Sequence, residues 1–311
     1  MAAILSGEQQ HGQVPVARDA TSLQLRGLTQ VYDAGPRALD GVSLDISPGL
    51  FGLLGPNGAG KSTLMRTLAT LQMPTAGTIR FGDIDVLAEP ERLRRTLGYL
   101  PQGFGVYPRV TVGDMLDHMA VLKGVSARRE RRDVVGALLQ RVNLWEARHR
   151  ALASLSGGMR QRFGIAQALI SAPRLIIVDE PTAGLDPEER NRCLDLLADI
   201  EADVVVILST HIVADVADLC ARAAVLASGR LLRVGAPLAM LAELEGRLWR
   251  KVVARADLAA VRHEQRVIST RLVAGRTVVH VLADTRPDPS FEPAPVAFDD
   301  IYFATLAAPR G

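Results

Sequence analysis

Hydrophobic residues recur along the chain at two spacings, which predict an alternation of strands and helices. Leu175–Val178 and Val204–Leu208 are continuous apolar runs of strand length, as expected for parallel strands covered on both faces. Val42–Ile46 alternates apolar and polar residues, which is typical of a strand with one exposed face. Pro187–Glu201 has helical character and lies between the two buried runs, so the sequence predicts a right-handed strand–helix–strand crossover.

Other segments extend this pattern over the first two thirds of the chain and predict an α/β fold. Further strands are predicted at Phe51–Leu54, Thr78–Ile84 and Leu97–Leu100, and helical segments at Lys61–Leu71, Thr111–Val142 and Met159–Ile170. The second helical segment contains the charge run Arg128–Arg132, which we interpret as a solvated helix face.

The pattern changes after Gly235 and predicts a smaller C-terminal unit. Val267–Val273 and Thr277–Ala283 flank a three-residue turn and predict a β-hairpin. Thr285–Val296 carries four prolines and predicts an extended linker, and Phe298–Leu306 predicts a closing helix. The expected divisions are a flexible lead-in at 1–21, a large domain at 22–235 and a C-terminal accessory domain at 236–311. Packing or dimer stabilisation and regulation remain alternative roles for the last of these.

Composition and charge narrow the function classes. Apolar residues make up 48% of the chain and charged residues 23%, as in ordinary globular proteins. A formal net charge of +2 argues against a dedicated nucleic-acid surface. No window reaches the ~18 to 20 apolar residues that a membrane span requires, and the N-terminus does not resemble a secretory signal. Cys193 and Cys220 form no CxxC pair, so we expect buried thiols in a reduced cytoplasmic setting.

A glycine-rich loop between a predicted strand and a predicted helix is the most informative motif. It fits the phosphate-binding template GxxxxGK[ST] and comprises Gly55, Pro56, Asn57, Gly58, Ala59, Gly60, Lys61, Ser62 and Thr63. The three glycines permit φ > 0 and allow backbone N–H groups to converge on phosphate oxygens. Lys61 would place a charge on the β- and γ-phosphates, and the Ser62 hydroxyl would bind Mg²⁺. The sequence therefore predicts a nucleoside triphosphate site.

Two carboxylates follow the buried run Leu175–Val178. Asp179 is at the predicted strand tip, where it could hold Mg²⁺ directly or through water. Glu180 is one residue further on, where it could accept a proton from an attacking water, a role worth roughly 10²–10⁴ in rate. Together, Asp179 and Glu180 indicate a nucleotide site more specifically than they would alone, because they follow the glycine-rich loop in the proper order and at the proper distance.

A second anion-binding pattern occurs at Ser156, Gly157 and Gly158, directly before a predicted helix. The serine hydroxyl, the glycine N–H groups and the helix dipole could bind a phosphate together. In isolation, a serine cap with a glycine turn explains the segment equally well. Beside the first motif, the pattern suggests that the second site completes the first one on a partner subunit related by two-fold symmetry.

In this order, the motifs resemble those of the nucleotide-binding subunits of ABC (ATP-binding cassette) transporters, over Leu23 to about Gly235. The resemblance implies a P-loop NTPase cassette with a RecA-like mixed sheet core, an antiparallel β subdomain and a helical subdomain at about 103–160. It implies a small α+β extension after the cassette. It also implies a Mg²⁺-dependent ATPase with ATP and Mg²⁺ as its ligands.

The resemblance assigns roles to four further positions. Tyr32 matches the aromatic residue that stacks on adenine, and Gln102 matches the glutamine that contacts Mg²⁺ and the attacking water. Asp186 belongs to a loop that communicates between two active sites, and His211 matches the histidine that contacts the γ-phosphate. Without the resemblance, the tyrosine, the glutamine and the histidine have plain structural interpretations as a strand aromatic, a loop residue and a strand-end histidine.

The resemblance also implies partners and a location. Two cassettes, expected to be identical, would sandwich two ATP molecules and drive a separate polytopic membrane subunit from the cytoplasmic face of the plasma membrane. Gly103–Gly124, with Phe104, Tyr107 and Pro108, is similar to cassettes of exporters with separate membrane subunits. The tail segment Phe298–Phe303 is similar to the extension of bacterial drug exporters. No nucleic-acid partner is expected.

Three other classes stay open at this stage. The first is a non-transport ABC ATPase that acts on ribosomes or DNA, although the chain has one cassette and no long insertion between Lys61 and Ser156. The second is a cassette that powers a mechanical or regulatory membrane complex, for which the same motifs would serve. A P-loop kinase or GTPase explains neither Ser156–Arg162 nor His211.

Overall fold

The structure is a computed structural model that describes residues 21–32, 35–103, 105 and 108–308. The predicted lead-in, apart from Thr21, and the residues Phe104 and Tyr107 lie outside the described residues. The strands are β1 (Leu23–Val31), β2 (Arg37–Ile46), β3 (Gly49–Leu54), β4 (Ala76–Phe81), β5 (Ile84–Asp85), β6 (Leu97–Leu100), β7 (Leu175–Asp179), β8 (Val205–Thr210), β9 (Arg222–Ala227), β10 (Arg230–Gly235), β11 (Leu248–Val253), β12 (Val267–Val273), β13 (Arg276–Leu282) and β14 (Glu292–Pro293). The α-helices are α1 (Lys61–Leu68), α2 (Pro90–Arg94), α3 (Val112–Leu122), α4 (Arg128–Arg141), α5 (Gly157–Leu169), α6 (Pro187–Ala198), α7 (Val213–Leu219), α8 (Pro237–Ala242), α9 (Leu258–Glu264) and α10 (Phe298–Leu306).

A central sheet separates two hydrophobic cores. Its strand order is β10-β9-β3-β8-β7-β6, with β10 antiparallel to β9 and the other neighbours parallel. Side chains alternate along a strand, so Ile177 and Ile207 enter one core while Ile176 and Val206 enter the other. This two-sided burial explains the unbroken apolar runs of β7 and β8. The predicted crossover connects them through α6, and the two strands are neighbours in the sheet.

A second sheet, which is antiparallel, covers the core that contains Ile177 and Ile207. Its order is β2-β1-β4-β5, and its apolar side chains pack with Leu64 and Met65 of α1. Along Val42–Ile46 the side chains alternate between buried and exposed, as the sequence predicts. The glycine-rich loop therefore connects β3 of the central sheet to α1, and the antiparallel sheet packs against α1.

The helices α3, α4 and α5 pack against one another. Most of the charge run at the start of α4 is exposed, as predicted, but Arg131 is an exception. Its Nε donates to Oδ1 of Asp117 on α3 at 2.8 Å, and its Nη1 donates to the carbonyl oxygen of Ser126 at 2.9 Å. The run is thus a solvated face with one arginine that joins two helices.

The C-terminal extension packs onto the cassette through α10. The sheet of the extension has the order β12-β13-β11-β14, with a small core that includes Val279 and Phe291. Ile301 and Tyr302 of α10 belong instead to the cassette core, together with Val216 of α7. The hydrophobic core therefore crosses the predicted boundary at 236, and the division into separate domains stays a prediction.

Several predicted boundaries were wrong, for local backbone reasons. The helix α1 ends at Leu68 rather than Leu71, shortly before Thr70 adopts a left-handed φ of 58°. The predicted strand Thr78–Ile84 divides into β4 and β5 around Gly82, whose φ is 56°. The helix α6 ends at Ala198, three residues before the predicted end.

The hairpin and the proline segment also differ in detail from the prediction. The turn between β12 and β13 has two residues, Ala274 and Gly275, with φ of 47° and 76°, which matches the twist of the flanking strands. Arg276 therefore begins β13. The proline segment is largely irregular but contributes β14, which pairs with β11. The helix α10 has the predicted bounds, Phe298–Leu306.

Two general expectations concern cysteines and membrane spans. Cys193 and Cys220 are buried free thiols, as predicted, and burial raises the pKa of each to about 12. Among the described residues, no helix has the length and apolar character needed to cross a membrane.

Candidate functional site

The loop between β3 and α1 depends on three glycines for two different reasons. Gly58 and Gly60 adopt φ of 76° and 105°, a region that other residues rarely occupy. Gly55 was predicted to use a positive φ and does not. It is required because a Cβ at this position would lie 2.3 Å from the carbonyl oxygen of Leu226.

This loop forms the wall of a pocket of about 400 Å³. The lining residues are Ala38, Pro56, Asn57, Gly58, Ala59, Gly60, Lys61, Ser62, Thr63, Gln102 and Glu180. The structure thus brings most of the predicted phosphate-binding residues together with two residues from the ends of other strands. The loop lies where β3 ends and α1 begins, so backbone N–H groups at the helix N-terminus face the same region.

Lys61 is a buried cation at the inner end of this pocket. Its Nζ donates to the carbonyl oxygens of Gly55 at 2.6 Å and Pro56 at 3.3 Å, and lies 3.7 Å from Oε1 of Glu180. Burial lowers the pKa of Lys61, and the carboxylates of Glu180 and Asp179 oppose that shift. A phosphate in the pocket would add further negative charge beside this buried ammonium and favour its charged form.

Asp179 has the properties of a cation ligand. It ends β7, only 3% of it is exposed, and its Oδ1 has no hydrogen-bond partner among the described residues. Burial raises the pKa of Asp179, while the nearby hydroxyls of Ser209 and Ser62 act in the opposite direction. A buried carboxylate oxygen without a donor, beside the Ser62 hydroxyl, fits Mg²⁺, which takes a few protein oxygens and completes its shell with water and phosphate.

Glu180 and His211 are in direct contact at the ends of the neighbouring strands β7 and β8. Oε2 of Glu180 lies 2.7 Å from Nδ1 of His211. Glu180 is 7% exposed and has a φ of 53°, which is uncommon for a residue other than glycine. Its backbone N–H donates to the carbonyl oxygen of Ser209 at 2.8 Å. The sheet therefore places a buried carboxylate and a half-exposed imidazole side by side at the pocket.

Gln102 and Tyr32 lie at the edges of the site. Gln102 follows β6, is exposed and lines the pocket. Tyr32 is 46% exposed, and its hydroxyl donates to Oε1 of Gln72 at 2.9 Å. Tyr32 lines an adjoining cleft of about 1340 Å³ between the cassette and the extension, which shares Ala38 and Gly58 with the smaller pocket. Of the ionisable groups described above, Lys61 and Glu180 line the smaller pocket, whereas Asp179 and His211 do not.

The second predicted anion site does not line this pocket. Ser156 caps α5, and its Oγ accepts from the backbone N–H of Met159 at 3.2 Å. Ser156 and Gly157 are exposed, whereas Gly158 is buried, and a Cβ there would lie 2.3 Å from Oε2 of Glu189. The segment is thus a largely exposed helix N-terminus that does not contribute to the pocket of its own chain.

Sequence reasoning assigned Asp186 and missed Asp215. Asp186 is the N-cap of α6, and its Oδ1 accepts from the backbone N–H of Glu189 at 2.9 Å. Asp215 is completely buried on α7, where it binds Thr182 and Arg190. A single carboxylate in a seven-residue helix gave no signal in the sequence, because its partners come from elsewhere in the chain.

The fold and the pocket define a P-loop nucleotide-binding protein. Residues 39–183 match the family model described as ABC transporter. The chain is 40% identical over 216 residues to the daunorubicin/doxorubicin resistance ATP-binding protein DrrA of Streptomyces peucetius, covering 69% of this chain and 65% of DrrA. It is 38% identical over 232 residues to the phosphonates import ATP-binding protein PhnC of Chromohalobacter salexigens, covering 70% of this chain and 85% of PhnC.

A solved structure has the same architecture. It is the dimeric post-hydrolysis state of the ATP-binding cassette MJ0796, bound to ADP and Pi, with a TM-score of 0.63 and 27% identity over 69% of this chain and 98% of that one. The chain belongs to the family of ABC transporter ATP-binding cassettes. The predicted fold class and the predicted enzyme class, that of ABC ATPases, are confirmed at the level of this family.

Proposed function

We propose that this chain is the ATP-binding and ATP-hydrolysing subunit of an ABC transporter. The observation that carries the proposal is the grouping of three features at the carboxyl ends of the neighbouring strands β3, β8 and β7: the buried Lys61, the orphaned oxygen of Asp179, and the contact between Glu180 and His211. In this family context, the three features correspond to phosphate binding, metal binding and hydrolysis.

The loop residues bind and orient the phosphates of ATP. The N–H groups of the glycine-rich loop and the ammonium of Lys61 neutralise phosphate charge, and the exposed ring of Tyr32 offers a stacking surface for adenine. Ser62 and Asp179, with Gln102 at the same pocket, would hold Mg²⁺. When bound, this ion stabilises negative charge on the phosphoryl group.

Glu180 is the proposed general base, and His211 orients it. The imidazole contact at 2.7 Å fixes one carboxylate oxygen, while the other faces Lys61 at 3.7 Å. A buried carboxylate that is held from two sides can position a water and accept its proton. The half-exposed imidazole is also available to contact the transferred phosphoryl group, as the family resemblance implies.

The exposed segment Ser156–Gly158 supports an ATP-dependent dimer. Because this predicted anion-binding helix terminus is exposed and does not line the pocket of its own chain, we propose a second copy as the source of phosphate for it. The dimeric state of MJ0796 supports the same arrangement. We propose a homodimer that acts on a separate polytopic membrane subunit at the cytoplasmic face of the plasma membrane. Export is the proposed direction, on the resemblance of the C-terminal extension to those of drug exporters.

The test is ATP hydrolysis by the full chain, with Glu180→Gln as the variant and Glu201→Gln as the control, since Glu201 is exposed and outside the pocket. We expect the first to lower kcat by roughly 10²–10⁴ with nucleotide binding retained, and the second to hydrolyse ATP normally. Full activity of Glu180→Gln would contradict the assignment.

A second experiment tests the partner. Glu180→Gln trapped with Mg-ATP should co-purify a multi-span protein, whereas ribosomal or DNA-bound material alone would contradict the transporter proposal.

A further inference from the structure

We propose that Asp215 is a positioning residue that holds Glu180 and His211 in their reactive arrangement, an inference that rests on the proposed function. Asp215 is 0% exposed and accepts two hydrogen bonds from different segments. Oγ1 of Thr182 donates to its Oδ2, and Nε of Arg190 donates to its Oδ1 at 2.7 Å.

These contacts join the segments that follow the two strands of the site. Thr182 is two residues after Glu180 at the end of β7, and Asp215 is four residues after His211 at the end of β8. Arg190 lies on α6, the helix into which the first segment leads. One buried carboxylate therefore fixes the exit of β7, the start of α6 and the start of α7 relative to one another.

The backbone conformation at Glu180 shows why hydrogen bonds between these segments are needed. Its φ of 53° lies in the left-handed region, a conformation that persists only where the surroundings impose it. The backbone N–H of Glu180 donates to the carbonyl oxygen of Ser209, directly after the last paired residues of the two strands, Asp179 and Ser209. Two residues further along the chain, the side chain of Thr182 donates a hydrogen bond to Asp215, in the segment that follows β8.

The helix that carries Asp215 is itself fixed against the sheet. Gly52 of β3 is in contact with Val216 so closely that a Cβ at position 52 would lie 2.4 Å from its Cγ1. On its other side, α7 packs against Ile301 and Tyr302 of α10. Because α7 is held between β3 and the extension, a hydrogen bond to Asp215 anchors the Glu180 segment to a rigid element.

The choice of test variant follows from the charges. Arg190 pairs with Asp215 at 2.5 Å and with Asp218 at 3.9 Å, so Asp215→Asn removes the nearer counter-ion of a partly buried guanidinium and endangers folding. In Thr182→Val, the new side chain has nearly the same shape and the ion pair stays intact. The substitution removes only the hydrogen bond from the Thr182 hydroxyl to Asp215. Thr182→Ser restores the hydroxyl. Thr305→Val is the matched control, since Thr305 is also buried and its hydroxyl donates only to the carbonyl oxygen of Ile301.

The experiment measures ATP affinity and steady-state hydrolysis of the four full-length proteins. For Thr182→Val we expect kcat to fall about tenfold or more, because a hydrogen bond to a charged group is lost from the support of the site, with ATP affinity unchanged. Thr182→Ser should recover most of the activity, and Thr305→Val should keep it. Wild-type kcat in Thr182→Val, or an equal loss in Thr305→Val, would overturn the inference. Absence of ATP binding and hydrolysis in the wild-type chain would instead overturn the proposed function.

Discussion

The substitution Asp179→Asn is expected to stabilise the nucleotide-free chain and to impair its response to Mg-ATP. The wild-type carboxylate is buried, and one of its oxygens has no hydrogen-bond partner among the described residues. The amide of asparagine removes the buried charge, and its N–H groups can donate to the hydroxyls of Ser209 or Ser62. Selection for ligand binding, rather than for stability, then explains the carboxylate.

The magnitude follows from the cost of an unsatisfied buried acceptor, about 1–3 kcal/mol. Asp179→Asn should recover about 1 kcal/mol, which raises Tm by about 1–2 °C for a protein of this size. The pKa of Asp179 is raised in the folded state, so its favourable protonated form is lost as pH rises through that pKa. The gain on substitution is therefore present above that raised pKa and disappears as pH falls towards the ordinary aspartate value of 3.8.

Thermal unfolding at pH 7 and pH 4, with and without Mg-ATP, measures these effects. Saturating ligand at 100 times Kd should stabilise the wild-type chain by about 2.7 kcal/mol, and Asp179→Asn should gain clearly less.

Asp300→Asn is the matched control. Burial alone would raise the pKa of Asp300, but hydrogen bonds from His280 and Ala297 outweigh it and lower the pKa. Asp300 thus stabilises the fold above its ordinary pKa, and Asp300→Asn should destabilise it at pH 7. Destabilisation by both substitutions would refute the reasoning about Asp179.

Three other substitutions, one of them with a matched control, test the loop and the second anion site. Lys61→Ala should abolish ATP binding in isothermal titration, and normal hydrolysis by this variant would exclude the loop assignment. Ser156→Arg should lose turnover while single-chain binding of ATP persists; a collapse of binding would place the serine in the pocket of its own chain. Gly55→Ala should destabilise by about 1–3 kcal/mol in urea unfolding, since its Cβ would lie 2.3 Å from the carbonyl oxygen of Leu226. Gly136→Ala in α4, where the nearest atom is 3.6 Å away, should instead stabilise by up to about 1 kcal/mol, and equal effects would contradict the packing argument.

The parts of the site that are contiguous in sequence could be predicted without a structure. The loop from Gly55 to Thr63 combines its glycines, lysine and serine within one turn between a strand and a helix, so spacing alone indicates phosphate binding. The buried strands β7 and β8 were equally clear, because two-sided burial requires unbroken apolar runs. Their parallel pairing then brings Glu180 and His211 to one edge of the sheet.

Features that depend on tertiary contacts could not be predicted. The need for glycine at position 55 comes from Leu226, at the end of a strand that joins the sheet much later in the chain. The buried carboxylate of Asp215 has partners on two other segments, and nothing in its local sequence distinguishes it. The packing of α10 on α7 likewise joins two helices that are far apart in the sequence.

The measurement that tests the central claim most directly is the mass of Glu180→Gln in solution, by light scattering, with and without saturating Mg-ATP. The account predicts a monomer without nucleotide and a dimer with it, because the loop of one copy and the Ser156–Gly158 segment of the other would hold the same ATP. Glu180→Gln combined with Ser156→Arg should stay monomeric under both conditions. A Glu180→Gln chain that binds ATP but remains strictly monomeric at saturation would contradict the account.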